Sequence, residues 1–364
     1  MDEVMTQAVL GDDQKVEQVP AQLCDSPLFV VGMFRSGTSL LYALLNQHPQ
    51  IALMYEGDLA HLPPLFWFPT DTPRWLERWE FWNAALTRHK LDTDSIPDGI
   101  SDLHGAVRAA YTQYARQKTG ATIWGCKSPI YSDELTRLSR TFPNARFIII
   151  WRDLRHICAS ILKAAEKPSF FRRTGILFRT IIGYREMKVQ CDGLRAQGLP
   201  VHEICYEDLV RNPGDAMQGI CEFLQIPFDP RMASLKGADR TAIENAAHHS
   251  NVKTEKIMSS GKSPKKLPPA LKAKIDRYMR LWRKQYNDGW PVYPESVDGT
   301  SYPSAFEQAW DKFRFRSLQL WYHSTPVVFS FVPLRLWKIY RKLRGRPYAS
   351  EIRGLRKSAE TAQS

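Results

Sequence analysis

Short apolar runs alternate with helix-like stretches along most of this chain. Strands are predicted at residues 28–31, 122–126, 146–151 and 201–205, and those at 28–31 and 146–151 have the near-continuous apolar character of buried parallel strands. Helices are predicted between and after them, at residues 38–47, 101–118, 132–140, 154 onward, 214–224 and 270–286. Strands that alternate with helices predict a three-layer α/β/α fold around a central parallel sheet.

Composition divides the chain into three predicted parts. Residues 1–26 are polar and acidic, which is typical of a flexible lead-in. Residues 27–290 hold all the predicted strands and form the main domain, with a helical, aromatic-rich insert at 59–120. Residues 291–364 are predicted to form a basic, partly helical extension. The chemistry is therefore expected within 27–290.

The positive charge of the chain is concentrated near its C-terminus. The net charge is +12, and residues 335–357 alone hold nine basic residues and one acidic residue, a net +8. The rest of the chain is only mildly basic, so we expect no nucleic-acid partner. Residues 331–346 interleave cations with aromatic and aliphatic residues, a pattern typical of peripheral contact with a membrane surface. A packed helix with a solvated basic face is the alternative.

The cysteines and the first residues bear on the location of the protein. The six Cys residues form no CxxC pair and show no regular spacing, which favours reduced thiols. The opening MDEVMTQAVLGDDQKVEQ lacks the basic and apolar segments of a secretory signal. No run of about 18 apolar residues predicts a membrane-spanning helix. These features predict a cytoplasmic protein, with possible peripheral membrane contact.

A glycine-containing loop follows the first predicted strand. Gly32 and Gly37 have the G-x-x-x-x-G spacing of a phosphate-binding loop, which predicts a P-loop-type fold with an anion site at the next helix start. Thr38 and Ser39 stand where a nucleoside-triphosphate P-loop has Lys and then Ser or Thr, and Arg35 supplies a cation instead. The loop therefore suits a phosphate or sulfate group but not ordinary ATP hydrolysis. A tight turn that needs glycine for steric reasons is the alternative.

A second anion site is predicted at the end of the strand at 146–151. Arg152 follows that strand, and Ser160 lies eight residues further on, in the predicted helix. Asp153 is placed to cap the start of this helix, and Arg155 lies close by. Two anion sites on neighbouring strands suit a nucleotide that is phosphorylated at both ends. A capped helix with solvated arginines is the alternative.

Four strings carry a more specific signal. They are Gly-Met-Phe-Arg-Ser-Gly-Thr-Ser-Leu-Leu at 32–41 with His48-Pro49 and Glu56, Trp-Gly-Cys-Lys-Ser-Pro at 124–129, Phe-Ile-Ile-Ile-Trp-Arg-Asp at 147–153 with Ser160, and Tyr-Glu-Asp-Leu at 206–209. Together they resemble the sulfotransferase superfamily, most closely its tyrosylprotein and Golgi carbohydrate branch. The resemblance implies 3′-phosphoadenosine 5′-phosphosulfate (PAPS) as the donor, PAP as the product, and no required metal.

The resemblance also implies roles for individual residues. The 5′-phosphosulfate would be held by Arg35, Ser36, Gly37, Thr38 and Ser39, and the 3′-phosphate by Arg152 and Ser160. Tyr206 would lie near the adenine, with ordinary core packing as the alternative. Weaker matches place Ser250 and Lys262 on the donor, although a solvated charge run is the favoured interpretation of that stretch.

Sulfuryl transfer needs a base for the acceptor hydroxyl and a cation for the leaving oxygen. By resemblance Glu56, 21 residues after Arg35, is the base, and His61 and Asp58 are its competitors. Lys127, at the end of a predicted strand, would stabilise the leaving oxygen, unless it is a surface lysine. Ser36 would restrain the sulfate.

The sequence thus predicts a PAPS-dependent sulfotransferase that acts on a hydroxyl acceptor by in-line displacement. The acceptor is a carbohydrate, lipid, peptide or small alcohol, and the aromatic residues of 59–82 are candidates for its binding wall or for simple packing. A P-loop small-molecule kinase and a non-catalytic protein that binds polyanions or membranes are the alternatives. The sequence does not choose an oligomeric state.

Overall fold

The fold is that of a computed structural model of the 364-residue chain. The structure describes residues 23–61, 86–91, 103–166, 170–172, 175–244, 267–287, 289–292 and 299–330, and the single positions 255, 257, 297, 336 and 339.

A sheet of five parallel strands lies at the centre of the described residues. The strands are β1 (Leu28–Val31), β2 (Ile51–Tyr55), β3 (Ile123–Lys127), β4 (Arg146–Trp151) and β5 (Val201–Cys205), in the spatial order β2-β3-β1-β4-β5. The register pairs Val30 of β1 with Lys127 on one side and Ile148 on the other. Because the strands are parallel, their carboxyl ends meet at one edge, and the loop after β1 lies between the ends of β3 and β4.

Ten α-helices accompany the sheet in the described part of the chain. They are α1 (Thr38–Leu45), α2 (Leu103–Arg116), α3 (Leu135–Thr141), α4 (Leu154–Ala165), α5 (Ile176–Ala196), α6 (Tyr206–Arg211), α7 (Pro213–Leu224), α8 (Thr241–Glu244), α9 (Pro269–Gln285) and α10 (Ala305–Ser330). Short 3₁₀ segments lie at Leu59–His61, Pro129–Asp133, Phe170–Arg172 and Pro230–Ala233.

Side chains of the sheet alternate between two apolar layers. Phe29, Phe147 and Trp151 face a core that includes residues of α2, α4, α5 and α9. Val30 and Ile148 face the opposite core, formed with α1 and α7. The predicted three-layer α/β/α fold with a central parallel sheet is therefore confirmed. The six cysteines all lie in described residues, and none is in a disulfide.

Two elements of the sheet and its cover were not predicted. β2 has five buried residues directly after the predicted end of the first helix, so its apolar run was too close to that helix to stand out. α5 lacks a single apolar stripe along its 21 residues, which removes the usual helical signal. The helix predicted at 132–140 begins later, because Ser128 caps a 3₁₀ segment before α3.

The helix α10 lies in the predicted C-terminal extension and packs on the main body. Glu307 pairs with Arg277 at 2.7 Å, and Asp311 pairs with Lys274 at 2.6 Å, both on α9. Phe315 is buried. These positions recur every four residues, so one stripe of α10 is fixed to the body. None of the helices in the described residues combines the length and the apolar run that crossing a membrane requires.

Candidate active site

The loop between β1 and α1 contains two residues with positive φ. Gly37, with φ 106°, directly precedes α1, and a Cβ at this position would lie 2.3 Å from the ring of Tyr206. Only glycine therefore fits there. Arg35 has φ 70°, a conformation that few non-glycine residues adopt. No side chain caps the start of α1, so its first N–H groups stay available to an anion.

The two predicted anion sites are in direct contact. Arg35 Nε donates a hydrogen bond to Ser160 Oγ at 3.0 Å, and Arg152 Nη1 donates to the carbonyl oxygen of Arg35 at 2.9 Å. The guanidinium of Arg152 also lies 4.0 Å from the ring centroid of Tyr206, a cation–π contact. The structure thus brings together residues that follow β1, β4 and β5, as the sequence predicted for a shared edge.

Two guanidinium groups at one half-buried place carry an electrostatic cost. Burial and the charge of Arg152 lower the pKa of Arg35 below its ordinary value. Arg152 Nε is buried and makes no hydrogen bond to the described residues. An anion bound here would offset the repulsion and accept hydrogen bonds from both side chains. The arrangement is compatible with a ligand that carries two phosphate groups.

Ser36 belongs to the loop, and its side chain is turned toward the protein interior. It is fully buried, and its hydroxyl has no hydrogen-bond partner among the described residues. Its Oγ is 2.6 Å from the place that a Cβ on Gly32 would occupy, so it points toward the strand end. The role of Ser36 in restraining the sulfate stays a prediction.

The ends of β2 and β3 place Glu56 beside Lys127. The strands pair Tyr55 with Lys127, and the Glu56 N–H donates to the Lys127 carbonyl at 2.8 Å. Lys127 Nζ lies 2.7 Å from Glu56 Oε1 and 3.3 Å from Ser39 Oγ. The Lys127 side chain is 0% exposed and that of Glu56 is 32% exposed. Lys127 is therefore not a surface lysine, and Glu56 follows a strand rather than the first helix.

The charge of Lys127 is stabilised by its neighbours. Burial by itself lowers the pKa of Lys127, but the Glu56 carboxylate and then Tyr55 outweigh it and raise the pKa above its ordinary value. The ammonium group therefore stays protonated at neutral pH. A buried cation at this point contacts Ser39, in the helix that follows the phosphate loop, and the partly exposed carboxylate of Glu56.

Sequence reasoning missed Tyr55 and His89. Tyr55 Oη and Ser39 Oγ are 2.9 Å apart, and Lys127 Nζ lies 4.0 Å from the Tyr55 ring centroid. His89 Nε2 donates to the Tyr55 carbonyl at 2.8 Å, and burial lowers the pKa of His89 to about 4. The run Ile-Ala-Leu-Met-Tyr at 51–55 carries the signal for Tyr55, because it ends directly before Glu56.

The other predicted residues are placed differently. Asp58 accepts a hydrogen bond from the Ser128 hydroxyl, whereas Glu56 is bound by Lys127. His61 ends the 3₁₀ segment after β2. Arg155, expected close to the second anion site, pairs with Asp276 at 2.9 Å. Ser250, Lys262 and the aromatic residues predicted within 62–82 lie outside the described residues, so their roles stay predictions.

Several curated proteins are similar to this chain. The protein-tyrosine sulfotransferase 1 of Danio rerio is 28% identical over 219 residues, which are 56% of this chain and 55% of that protein. A putative protein-tyrosine sulfotransferase of Caenorhabditis briggsae is 26% identical over 208 residues, 56% of this chain and 67% of that protein. The human protein-tyrosine sulfotransferase 1 is 31% identical over 148 residues, 40% of this chain and 36% of that protein. The match thus spans between 36% and 67% of the length of these three relatives.

Solved structures with similar coordinates are also sulfotransferases by description. The sulfotransferase domain of the Synechococcus olefin synthase has a TM-score of 0.46 and 17% identity, covering 82% of this chain and 95% of that chain. A sulfotransferase domain from the curacin biosynthetic pathway has a TM-score of 0.44 and 18% identity, covering 72% and 98%.

The predicted cytoplasmic location is wrong. The matching relatives are protein-tyrosine sulfotransferases, which are Golgi enzymes. The prediction depended on the irregular spacing of the cysteines and on the lack of secretory and membrane-spanning signals in the sequence. Scattered cysteines in a chain with a large core reflect the lack of any need for disulfides, and they do not report the compartment.

A family model matches a continuous stretch of more than half of the chain. It describes a sulfotransferase family and matches residues 27–230, which include all five strands, the phosphate loop, Glu56, Lys127, Arg152, Ser160 and Tyr206. With more than half of its residues matched, and with these segments folded at one edge of a parallel sheet, the chain belongs to the sulfotransferase family.

Proposed function

We propose that this protein transfers the sulfuryl group of PAPS to the hydroxyl group of an acceptor. The observation that carries the proposal is the Glu56–Lys127 ion pair beside the phosphate loop, with Lys127 Nζ 2.7 Å from Glu56 Oε1 and 3.3 Å from Ser39 Oγ. This pair supplies a carboxylate for the incoming proton and a cation for the leaving oxygen at one point. Membership of the sulfotransferase family supports the same reaction.

The donor is proposed to lie along the carboxyl edge of the sheet. The phosphosulfate end would meet the start of α1, with Arg35, Thr38 and Ser39 as donors of hydrogen bonds. The 3′-phosphate would meet Arg152 and Ser160. Support for two phosphates comes from the contact of Arg35 with Ser160 at 3.0 Å and from the buried, unpartnered Arg152 Nε. Tyr206, which Arg152 covers, would lie beside the adenine.

The proposed chemistry is a single in-line displacement. The acceptor oxygen forms a bond to sulfur while the bond from sulfur to the phosphate oxygen of PAPS breaks, and PAP leaves with that oxygen. The acceptor proton passes to the Glu56 carboxylate. Lys127 stays protonated, because its neighbours raise its pKa, and it offsets the negative charge that grows on the leaving oxygen.

The acceptor class is a separate part of the proposal. The similar curated proteins are described as protein-tyrosine sulfotransferases, so tyrosine side chains in acidic and neutral peptides are the first acceptors to test. Glycans, lipids and phenols complete the panel. Glu56 has the exposure that any of these hydroxyl groups needs to reach it, at 32% of its side chain.

Labelled-sulfate transfer from PAPS, measured over this panel, tests the reaction. We expect transfer to at least one acceptor class and its loss in Glu56→Gln. Calorimetry tests the donor site separately: PAP is expected to bind more tightly than ADP or ATP. Arg152→Ala should weaken PAP binding about tenfold or more while it leaves adenosine 5′-monophosphate binding nearly unchanged. Equal affinity for PAP and ADP would contradict the two-phosphate site and favour a kinase.

A further inference from the structure

The outer side of α10 exposes large aromatic side chains. Phe306, Trp310 and Phe313 are 78%, 51% and 61% exposed, and the rings of Trp310 and Phe313 stack with centroids 5.7 Å apart. At about 3.6 residues per turn, these three residues lie within roughly 60° of one another around the helix. We name them the aromatic face of α10. A cluster of solvent-exposed aromatic side chains indicates a docking surface, whereas single exposed hydrophobic residues do not.

The aromatic face is held outward by the opposite stripe of the helix. Glu307 and Asp311 are paired with α9, and Phe315 is buried, which fixes the rotation of α10. Tyr278 adds a hydrogen bond from its hydroxyl to Asp311 at 2.8 Å. The aromatic face therefore stays in solvent without any rearrangement of the helix.

The charges around the aromatic face have one sign. Among the described side chains of α10, the exposed ionisable residues are Lys312, Arg314 and Arg316, and both acids are turned inward and paired. By the helical repeat, Arg314 flanks the aromatic face on one side, and Lys312 and Arg316 flank it on the other. Aromatic residues with cations on both sides are typical of helices that lie in a membrane interface.

We propose that the aromatic face of α10 docks on the surface of an anionic phospholipid bilayer. The rings would enter the headgroup region, and the flanking cations would bind lipid phosphates and carboxylates. The chain after α10 adds to this attraction, since residues 335–357 carry a net +8 and Leu336 and Ile339 are more than half exposed. A second copy of the chain is a poor occupant, because a symmetric contact would bring two cationic faces together.

Vesicle co-sedimentation of the full chain tests the proposal. Binding is expected to phosphatidylcholine vesicles that contain about 30% phosphatidylserine, and to fall steeply as salt is added. The triple variant Phe306→Ser, Trp310→Ser, Phe313→Ser should lower the partition coefficient at least about tenfold. The matched control is Val189→Ser with Phe228→Ser, two hydrophobic residues that are 40% and 37% exposed elsewhere, and it should bind like the wild type.

A second pair of variants tests the charges. Lys312→Gln with Arg316→Gln should weaken binding to anionic vesicles several-fold, roughly as expected for two interfacial cations. Arg116→Gln with Lys236→Gln, which removes two exposed cations from other surfaces, should have little effect. All variants should keep the wild-type melting temperature and PAP affinity. The proposal is overturned if the aromatic variants bind vesicles like the wild type. It is overturned equally if ultracentrifugation shows a dimer that the triple variant dissolves.

Discussion

The Glu56–Lys127 pair and the Arg155–Asp276 pair join a cation to a carboxylate at similar distances, 2.7 and 2.9 Å. Their surroundings differ. The side chains of Arg155 and Asp276 are 8% and 2% exposed, and Lys272 adds a second cation at 3.1 Å from Asp276. In the other pair Lys127 is fully buried but Glu56 is 32% exposed. One carboxylate is enclosed by cations, and the other keeps an open side.

The position in the fold explains this difference. Glu56 and Lys127 follow or end strands, so they lie at the carboxyl edge of the sheet, where α/β proteins bind ligands. Arg155 and Asp276 lie on the helices α4 and α9 and hold those helices together. A buried ion pair is therefore not in itself a sign of chemistry. A partly exposed carboxylate next to the phosphate loop separates the Glu56–Lys127 pair from the Arg155–Asp276 pair.

Removal of the Glu56 carboxylate should have the largest effect. Glu56→Gln keeps the shape of the side chain but loses the proton acceptor, so kcat for sulfate transfer should fall about 10²–10⁴-fold. PAP affinity, measured by calorimetry, should change little. Glu307→Gln is the matched control, because the Glu307 side chain is similarly exposed, at 27%, and is also paired with a cation, Arg277. Similar losses in both variants would show that Glu56 acts only through its ion pair.

Asp276→Asn should lower the free energy of unfolding but have little effect on kcat. It removes the carboxylate that pairs with the buried Arg155, which costs about 3–5 kcal/mol of the free energy of unfolding. Below the melting temperature, kcat should stay within a few-fold of the wild-type value, because this pair joins α4 to α9 and not the strand ends that carry Glu56 and Lys127. Urea titration and the transfer assay measure the two quantities. A large fall in kcat with an unchanged unfolding free energy would reverse the assignment of the two pairs.

Sequence reasoning reached the two sites unequally. Loop residues such as Arg35 and Gly37 are close in sequence, so their spacing predicted the anion site. The pairing of Glu56 with Lys127 depends on β2, which was missed, and on the order of strands in the sheet. The contact of Arg155 with Asp276 joins residues 121 positions apart, and no local pattern specifies it. Motifs predict which residues lie at the same edge of the sheet. Contacts between residues of different elements can be identified only once the packing of those elements is known.

His89, which donates to the carbonyl of Tyr55 directly before Glu56, should make the free energy of unfolding depend on pH. Its pKa is lowered from 6.5 to about 4 by burial, so the folded state binds the proton less well than the unfolded state. His89 therefore costs no stability above pH 6.5, and stability falls as the pH drops from 6.5 toward 4. The expected loss from this group is roughly 3 kcal/mol.

Urea unfolding of the wild type and of His89→Gln, at pH 7 and at pH 4.5, measures this contribution. The glutamine amide can still donate to the Tyr55 carbonyl but does not titrate. The unfolding free energy of the variant should fall less on acidification. Parallel pH dependences in the two proteins would show that another group carries the acid sensitivity.

The smallest expected effect concerns the hydroxyl of Tyr55. It lies 2.9 Å from Ser39 Oγ, which is in turn 3.3 Å from Lys127 Nζ, so it helps to hold the cation between the loop and Glu56. Tyr55→Phe keeps the ring under Lys127 and should lower kcat only about three- to tenfold, with unchanged PAP affinity. Tyr278→Phe removes a hydroxyl that binds Asp311 between α9 and α10 and should leave kcat unchanged. If both variants reduced kcat equally, a general loosening of the fold would explain the effect. A decrease in kcat confined to Tyr55→Phe would show that transfer depends on the position of Lys127, which the Tyr55 hydroxyl supports through Ser39.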